Sequence, residues 1–394
     1  MHQRLIALVA MAAFAGTTHA QVPQGPKNVP EFEPAFESQT RAPEIRTAQR
    51  FNVEVIADGL AHPWGIEVLP DGAYLVTERP GGIKIIRRGK GVQTVAGAPE
   101  VRARGQGGLL DVALAENFET SRRIYLTYAK PLGGGRSATA AASAVLRENP
   151  PRLTDLEDFF VQTPPSRSSK HFGSRIVPHD GQVFITTGER SSRSARVLAQ
   201  DLKSTYGKVV RVAPGGGIPD DNPFLGQGNV RGQVWSFGHR NPQGAAIHPR
   251  TGELWTLEHG PAGGDELNLI KRGANYGWPL VSYGENYIGT PVGTGKPRAE
   301  GITEPRYYWD PVIAPGGFVF YDGDMFDWNG DIVAGSLNPG GIVRLRLRGV
   351  RVSGEARYLE ELGRIRDVEV DRDGAILLLV DARDGALIRV TPAS

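Results

Sequence analysis

The chain contains no cysteine among its 394 residues, which excludes both disulfide support and a lipid-anchored N-terminus. Its formal net charge is only +2, so it lacks the basic excess of a general nucleic-acid binder. Aromatic residues make up only 8% of the chain, and no long amphipathic helical pattern is present. The apolar run from Leu5 to Gly16 is too short to span a bilayer as a mature helix. Met1-His-Gln-Arg precedes it, and Thr18-His19-Ala20 follows before Gln21. That is the pattern of a secretory signal peptide over residues 1–20, cleaved after Ala20. A periplasmic or secreted protein without a membrane span is expected. Residues 21–49 are rich in proline and polar side chains and read as an extended, partly mobile lead-in.

Glycine and proline are abundant instead, at 51 and 29 residues. They punctuate short apolar runs in a repeating order. Trp64-Gly65 leads into I-E-V-L-P-D-G-A-Y-L-V-T-E, and Gly107-Gly108 leads into L-L-D-V-A-L. His171 opens H-F-G-S-R-I-V-P-H-D-G-Q-V-F-I-T-T-G-E, and Arg240 opens a further unit. Pro315 opens P-G-G-F-V-F-Y-D-G-D, and Arg366 opens R-D-V-E-V-D-R-D-G-A-I-L-L-L-V. Six degenerate β-meander units, with no linker between them, predict an all-β chain. The expected architecture is a six-bladed β-propeller with four-stranded antiparallel blades over residues 50–394. Two separate all-β domains are the competing reading. The strand starting at Phe51 is expected to close the ring beside Leu387–Val390. Arg344-Leu-Arg-Leu-Arg348 alternates as a strand does, which places its arginines on one solvated face. Arg190 to Arg196 reads as an exposed loop.

The chemistry concentrates at the starts of the repeats. Pairing outward from the Asp180-Gly181 turn sets His171 within about one residue of Glu189. A histidine beside a carboxylate is a base with its orienting partner, although a structural contact has the same spacing. Gln106, His171, Arg240, Asn241, Arg364 and Arg366 stand where different repeats begin, positions that converge on a propeller's central channel. The arginines suit carboxylate groups of a polyanion, each charged hydrogen bond contributing roughly 1.5–3 kcal/mol. The hairpin after Asn241 folds Gly260 and Pro261 back towards Arg240, with Asp265 and Glu266 close behind. Carbonyl oxygens beside carboxylates suit a hard cation such as Ca²⁺.

Seven motifs give this pattern a family likeness: H-P-W-G-I-x-x-L-P-D-G at His62, R-G-Q-G-G-L-L-D-V at Arg104, H-F-G-S-R-I at His171, G-H-R-N-P-Q-G at Gly238, E-H-G-P-x-x-G-D-E-x-N at Glu258, N-Y-G-W-P at Asn275 and G-R-I-R-D-V at Gly363. From about Phe51 to Pro392 the chain resembles soluble aldose sugar dehydrogenases of the glucose/sorbosone dehydrogenase family, quinoproteins that use pyrroloquinoline quinone (PQQ). The resemblance implies an oxidoreductase that converts aldoses to aldonolactones by hydride transfer from C1 to PQQ. It implies His171 as general base, Glu189 as its orienter, and Arg240 as stabiliser of charge on the quinone. It further implies PQQ contacts from Gln106, Asn241, Arg364 and Arg366, and Ca²⁺ contacts from the Gly260 and Pro261 carbonyls. Glu266 and Tyr276 match positions of a second, structural Ca²⁺. Trp309, or its neighbours Tyr307 and Tyr308, is expected near cofactor or sugar.

Two positions depart from glucose-oxidising members of that family. Lys170 stands where some place an acidic residue before the base, and Asn338 where they offer PQQ a lysine. Broad aldose activity is therefore expected. The electron acceptor, and the choice between monomer and homodimer, stay open. Two other classes remain in view: a Ca²⁺-dependent propeller lactonase or hydrolase, and a non-catalytic propeller that binds carbohydrate or protein.

Overall fold

The computed structural model describes residues 20–393; the signal-peptide reading falls on residues outside these. Strands dominate, and they form six sheets of four antiparallel strands each. Blade 1 runs over 63–94, blade 2 over 109–161, blade 3 over 173–237, blade 4 over 242–309 and blade 5 over 315–358. Blade 6 takes its three inner strands from 365–392 and its outermost one from Phe51–Leu60. That last pairing sets Val53 opposite Val390 and Ala57 opposite Leu387, so the ring closes where the sequence pattern put it.

The strand order explains the apolar pattern. Middle strands are covered on both faces by neighbouring blades, so they read as continuous apolar runs, such as Ile376–Val380. Inner strands are buried near their starts and half-buried further on, as in Pro63–Val68 and Ile365–Val370. Outermost strands vary: all four residues of Gly91–Thr94 face water, whereas Tyr307–Trp309 is buried throughout. The core is a set of clusters between adjacent blades. One such cluster joins blades 6 and 1 through Ile66, Val76, Leu377, Leu379 and Leu387.

Three features differ from the sequence reading. The lead-in is extended but docked against the rim of blades 4 and 5. Asn28 and Val29 donate backbone N–H bonds to Asp310 at 2.8 and 3.0 Å. Ala42 donates to the Tyr307 hydroxyl at 2.9 Å, and Ile45 pairs with the Glu355 backbone at 2.8 Å. Second, Arg344 is buried rather than solvated, because Asp331 accepts its Nε at 2.7 Å and Trp328 lies under its guanidinium. Third, Tyr307–Trp309 is the outermost strand of blade 4, away from the channel. Trp309 fills the core against Ile313 and Phe318, Tyr307 donates to Glu355, and Tyr308 stacks on Tyr283. These aromatics anchor the wall and the lead-in.

The Leu377 side chain is fully enclosed between two blades. Leu377→Ala is expected to destabilise the fold by about 2–5 kcal/mol, read from the urea midpoint at unchanged slope. A loss under about 0.5 kcal/mol, the range of surface substitutions, would mean the blade interface is not packed as described.

Candidate active site

All six inner strands carry a register shift near the start of their pairing with the next strand. A bulge there turns the backbone and re-aims side chains at the mouth of the channel. His171 sits just before one of these starts, with φ 50° in the left-handed region. That conformation is costly for a non-glycine residue and persists only when neighbours hold it. They do: the His171 N–H donates to Gln106 Oε1 at 2.7 Å, and Asn241 Oδ1 accepts the Gly173 N–H at 3.0 Å. Gly188 is required opposite, since a Cβ there would lie 2.2 Å from the His171 carbonyl oxygen.

His171 Nδ1 lies 2.7 Å from Glu189 Oε1, and both side chains are buried. The carboxylate accepts from Nδ1, which leaves the lone pair on Nε2. Burial first, then the Arg240 charge, pull the imidazole down to about 4 against the opposing pull of Glu189. His171 is therefore a neutral, oriented base at neutral pH. Arg240 is 5% exposed and has no carboxylate partner among the described residues. Its Nη1 donates to the His259 carbonyl at 2.9 Å, its Nη2 lies 3.4 Å from the Tyr287 hydroxyl, and its Nε is unpartnered.

Next to this pair lies a cavity of about 150 Å³. Gln106, Asn241, Arg364 and Arg366 all line it, as their positions in the repeats implied. Trp64, Arg79, Gln243 and His259 line it too, and were missed. Their signal was available: each falls inside or beside a motif already recognised, and Trp64 opens the first repeat. Gln243 Oε1 accepts from Arg366 Nη1 at 2.8 Å, so it also accepts from His259 Nε2 at 3.0 Å. Asp381 accepts from Arg366 at 2.7 Å and lies 2.9 Å from His62 Nδ1. Burial alone would raise the Asp381 carboxyl, but Arg366 and His62 hold it down to about 2. Arg366 is thus already paired, whereas the Arg364 side chain is half-exposed, donates to the Leu337 carbonyl at 3.0 Å and stands 3.9 Å from Asp381. Lys170 and Asn338 are both exposed, and Leu337, not Asn338, lines the cavity.

A second cavity, of about 20 Å³, adjoins Arg240 and His259 and is also lined by Gly260, Pro261, Glu266 and Tyr276. It has room for one ion or water. No N–H or O–H among the described residues reaches the carbonyls of Gly260, Pro261 or Tyr276. The Tyr276 hydroxyl is engaged elsewhere, donating to the Leu269 carbonyl at 2.6 Å, so that residue can offer only its carbonyl. Glu266 pairs across the sheet with Glu258. Burial first, and then the Glu258 charge, push the Glu266 carboxyl well above its usual range. Uncapped carbonyls beside a destabilised carboxylate form an oxygen donor set that fits Ca²⁺. Asp265 is not part of it. Its Oδ1 accepts the Gly260 N–H at 2.7 Å, and its Oδ2 accepts Ile313 and Ala314 at 2.9 and 2.7 Å. It braces the turn that presents the carbonyls.

The class these features define is a six-bladed propeller with a polar, base-bearing centre at the mouth of its channel. A sequence model described as Glucose / Sorbosone dehydrogenase matches residues 60–389, and the chain belongs to that family. It is 41% identical over 347 residues to the aldose sugar dehydrogenase YliI of Escherichia coli K12, covering 86% of this chain and 93% of that one. The crystal structure of the soluble aldose sugar dehydrogenase of Escherichia coli in the apo-form superposes with a TM-score of 0.84 at 40% identity. That match covers 87% of this chain and 100% of that one. The PQQ-bound aldose sugar dehydrogenase of Streptomyces coelicolor matches with a TM-score of 0.72 at 27% identity, over 88% of this chain and 100% of that one.

The electrostatics around His171 can be read directly. Its ¹⁵N chemical shifts are expected to stay those of a neutral ring down to about pH 5 and to titrate near about 4. Glu189→Gln, which removes the one nearby charge that favours the protonated ring, is expected to move that titration lower. A wild-type titration near the free-histidine value would contradict the described burial.

Proposed function

We propose that the protein oxidises aldose sugars at the anomeric carbon, giving aldonolactones, with PQQ and Ca²⁺ as cofactors. The observation that carries this reading is His171, a buried neutral base held by Glu189 at 2.7 Å beside Arg240 and a cavity that is lined by Arg364 and Arg366. The unpartnered Nε of Arg240 and the half-exposed Arg364 support an anionic occupant in that cavity. Gln106, Asn241, Arg240, Arg364 and Arg366 would hold PQQ, and Gly260, Pro261, Glu266 and Tyr276 would hold Ca²⁺. When bound, these groups supply a hydride acceptor and a Lewis acid.

The protein's own residues do the rest. His171 Nε2 takes the proton of the anomeric hydroxyl while Glu189 fixes the ring and offsets the charge it gains. Arg240, already desolvated, stabilises negative charge beside the base without reorganising. Trp64, Gln243 and His259 close the cavity floor and hold Arg366 in place. The hydrolase reading calls for several carboxylates converging on the mouth, and the side chains there are mainly arginines, amides and histidines. The family membership argues against a non-catalytic module.

Reconstitution with PQQ and Ca²⁺, followed by dye reduction across a panel of aldoses, tests the reading. Turnover is expected to need both additions, and His171→Ala to lower kcat by about 10²–10⁴. Undiminished turnover in that variant would remove His171 from the mechanism. kcat/KM is expected to hold to mildly acidic pH and to fall as His171 is protonated near about 4. Ca²⁺ is expected to raise the melting temperature of the PQQ-free protein. Because a proton competes for Glu266, that gain should shrink as pH falls and be lost in Glu266→Gln. An identical Ca²⁺ response in the variant would place the ion elsewhere.

A further inference from the structure

In the loop after Glu189, Ser192, Arg193 and Ser194 are exposed, as the sequence suggests, but its first residue is not. Arg190 is fully buried, with 0% of its surface exposed. Its guanidinium lies 3.5 Å above the Phe172 ring, and Nη2 donates to the Ser168 carbonyl at 2.6 Å. Nε and Nη1 have no partner among the described residues. Removal from water pulls this arginine down to about 10. A buried guanidinium with no carboxylate at ion-pair distance is disfavoured unless something else compensates it.

The segments that enclose Arg190 also wall a groove of about 630 Å³ on the channel-mouth face. Arg136, Arg167, Ser166, Ser192, Ser194 and Tyr206 line it, and no lining residue is acidic. Ser137 and Ser166 bind each other's backbone at 2.7 and 2.9 Å, which joins the blade 2 hairpin to the approach to His171. Arg190 reaches that junction, 3.5 Å from Ser137 Oγ, and the nearby Glu189 carboxylate favours its charge. Some surface arginines elsewhere, Arg87, Arg88 and Arg211 among them, are paired with carboxylates. None of the ion pairs among the described residues involves Arg136, Arg167 or Arg190. In a chain of net charge +2, this is a local excess of one sign, one residue along from the partner of the base.

We propose that this groove binds an oxyanion, a phosphate or carboxylate group borne by a reactant of the enzyme. Arg136 and Arg167 are the forked donors that contact it, hydroxyls of Ser166, Ser192 and Tyr206 add hydrogen bonds, and Arg190 supplies a fixed charge beneath. The bearer is either the sugar or the electron acceptor, and only that part of the inference rests on the dehydrogenase reading.

Calorimetric titration of the PQQ-free protein with pyrophosphate tests the site itself. One saturable site is expected, weakening with added salt. It should weaken about tenfold or more in Arg136→Ser/Arg167→Ser, a surface double variant whose melting temperature should match wild type. No saturable binding, or equal binding in the variant, overturns the proposal. The bearer is then found with the reconstituted enzyme. A raised KM for glucose 6-phosphate but not glucose in the double variant assigns the oxyanion to the sugar. A raised KM for ferricyanide but not for an uncharged dye assigns it to the acceptor. A double variant equal to wild type in both assays overturns the claim that a reactant bears the group. Failure of wild type to oxidise any aldose would instead sink the dehydrogenase reading, leaving the titration to judge the groove.

Discussion

Everything at the channel mouth depends on the antiparallel clasp between Phe51–Leu60 and Gly385–Pro392. A propeller blade cannot bury both faces alone, and six blades do so only when the circle is complete. The clasp supplies the outermost strand of blade 6, whose inner strand begins with Ile365 and Arg366. Asp381, just past the second strand of that blade, anchors Arg366 and reaches His62 at the start of blade 1. The cavity is thus built across the seam, with Trp64 and Arg79 from blade 1 facing Arg364 and Arg366 from blade 6. An open ring would keep six sheets and lose the cavity.

Within the closed ring, the site is tuned by what is withheld from each group. His171 is given a carboxylate and denied water, so it stays neutral yet can accept a proton. Asp381 receives Arg366 and stays ionised. Asp265 receives three backbone N–H groups and only the more distant Arg240 charge, and burial lifts it to about 7. Glu266 has only the Asn268 amide and a second carboxylate across the sheet, and burial holds it well above its usual range. Buried ionisable groups with these contrasting partners sit in one end of the molecule, as expected where chemistry rather than stability sets the arrangement.

Much of this was legible in the residues. The six repeats, the closing strand and the alignment of His171 with Glu189 follow from turn chemistry and strand pairing, which are local and periodic. The family motifs carried Gln106, Arg240 and Asn241 to the mouth. What the sequence hid depends on partners distant along the chain. Nothing near Tyr307–Trp309 says that it forms an outer wall strand, because that is decided by Glu355 and Ala42. The alternation of Arg344, Arg346 and Arg348 is genuine, and the last two are exposed. Asp331 and Trp328, from the neighbouring turn, bury the first. His259 and Gln243 were overlooked because their role is to bind each other and Arg366, a contact between blades 4 and 6.

The docked lead-in has a consequence for time rather than for shape. Its anchor, and that of the closing strand after it, are late: Asn28 meets Asp310 across 282 residues, and Asn52 meets Pro392 across 340. A ribosome therefore delivers residues 28–52 long before either partner exists. Contacts of such separation are slow to form and leave strand edges uncovered meanwhile. Residues 28–52 are thus among the last to settle, and a nascent or truncated polypeptide lacking blade 6 has an unpaired edge at Phe51–Leu60 ready to capture a strand from another molecule.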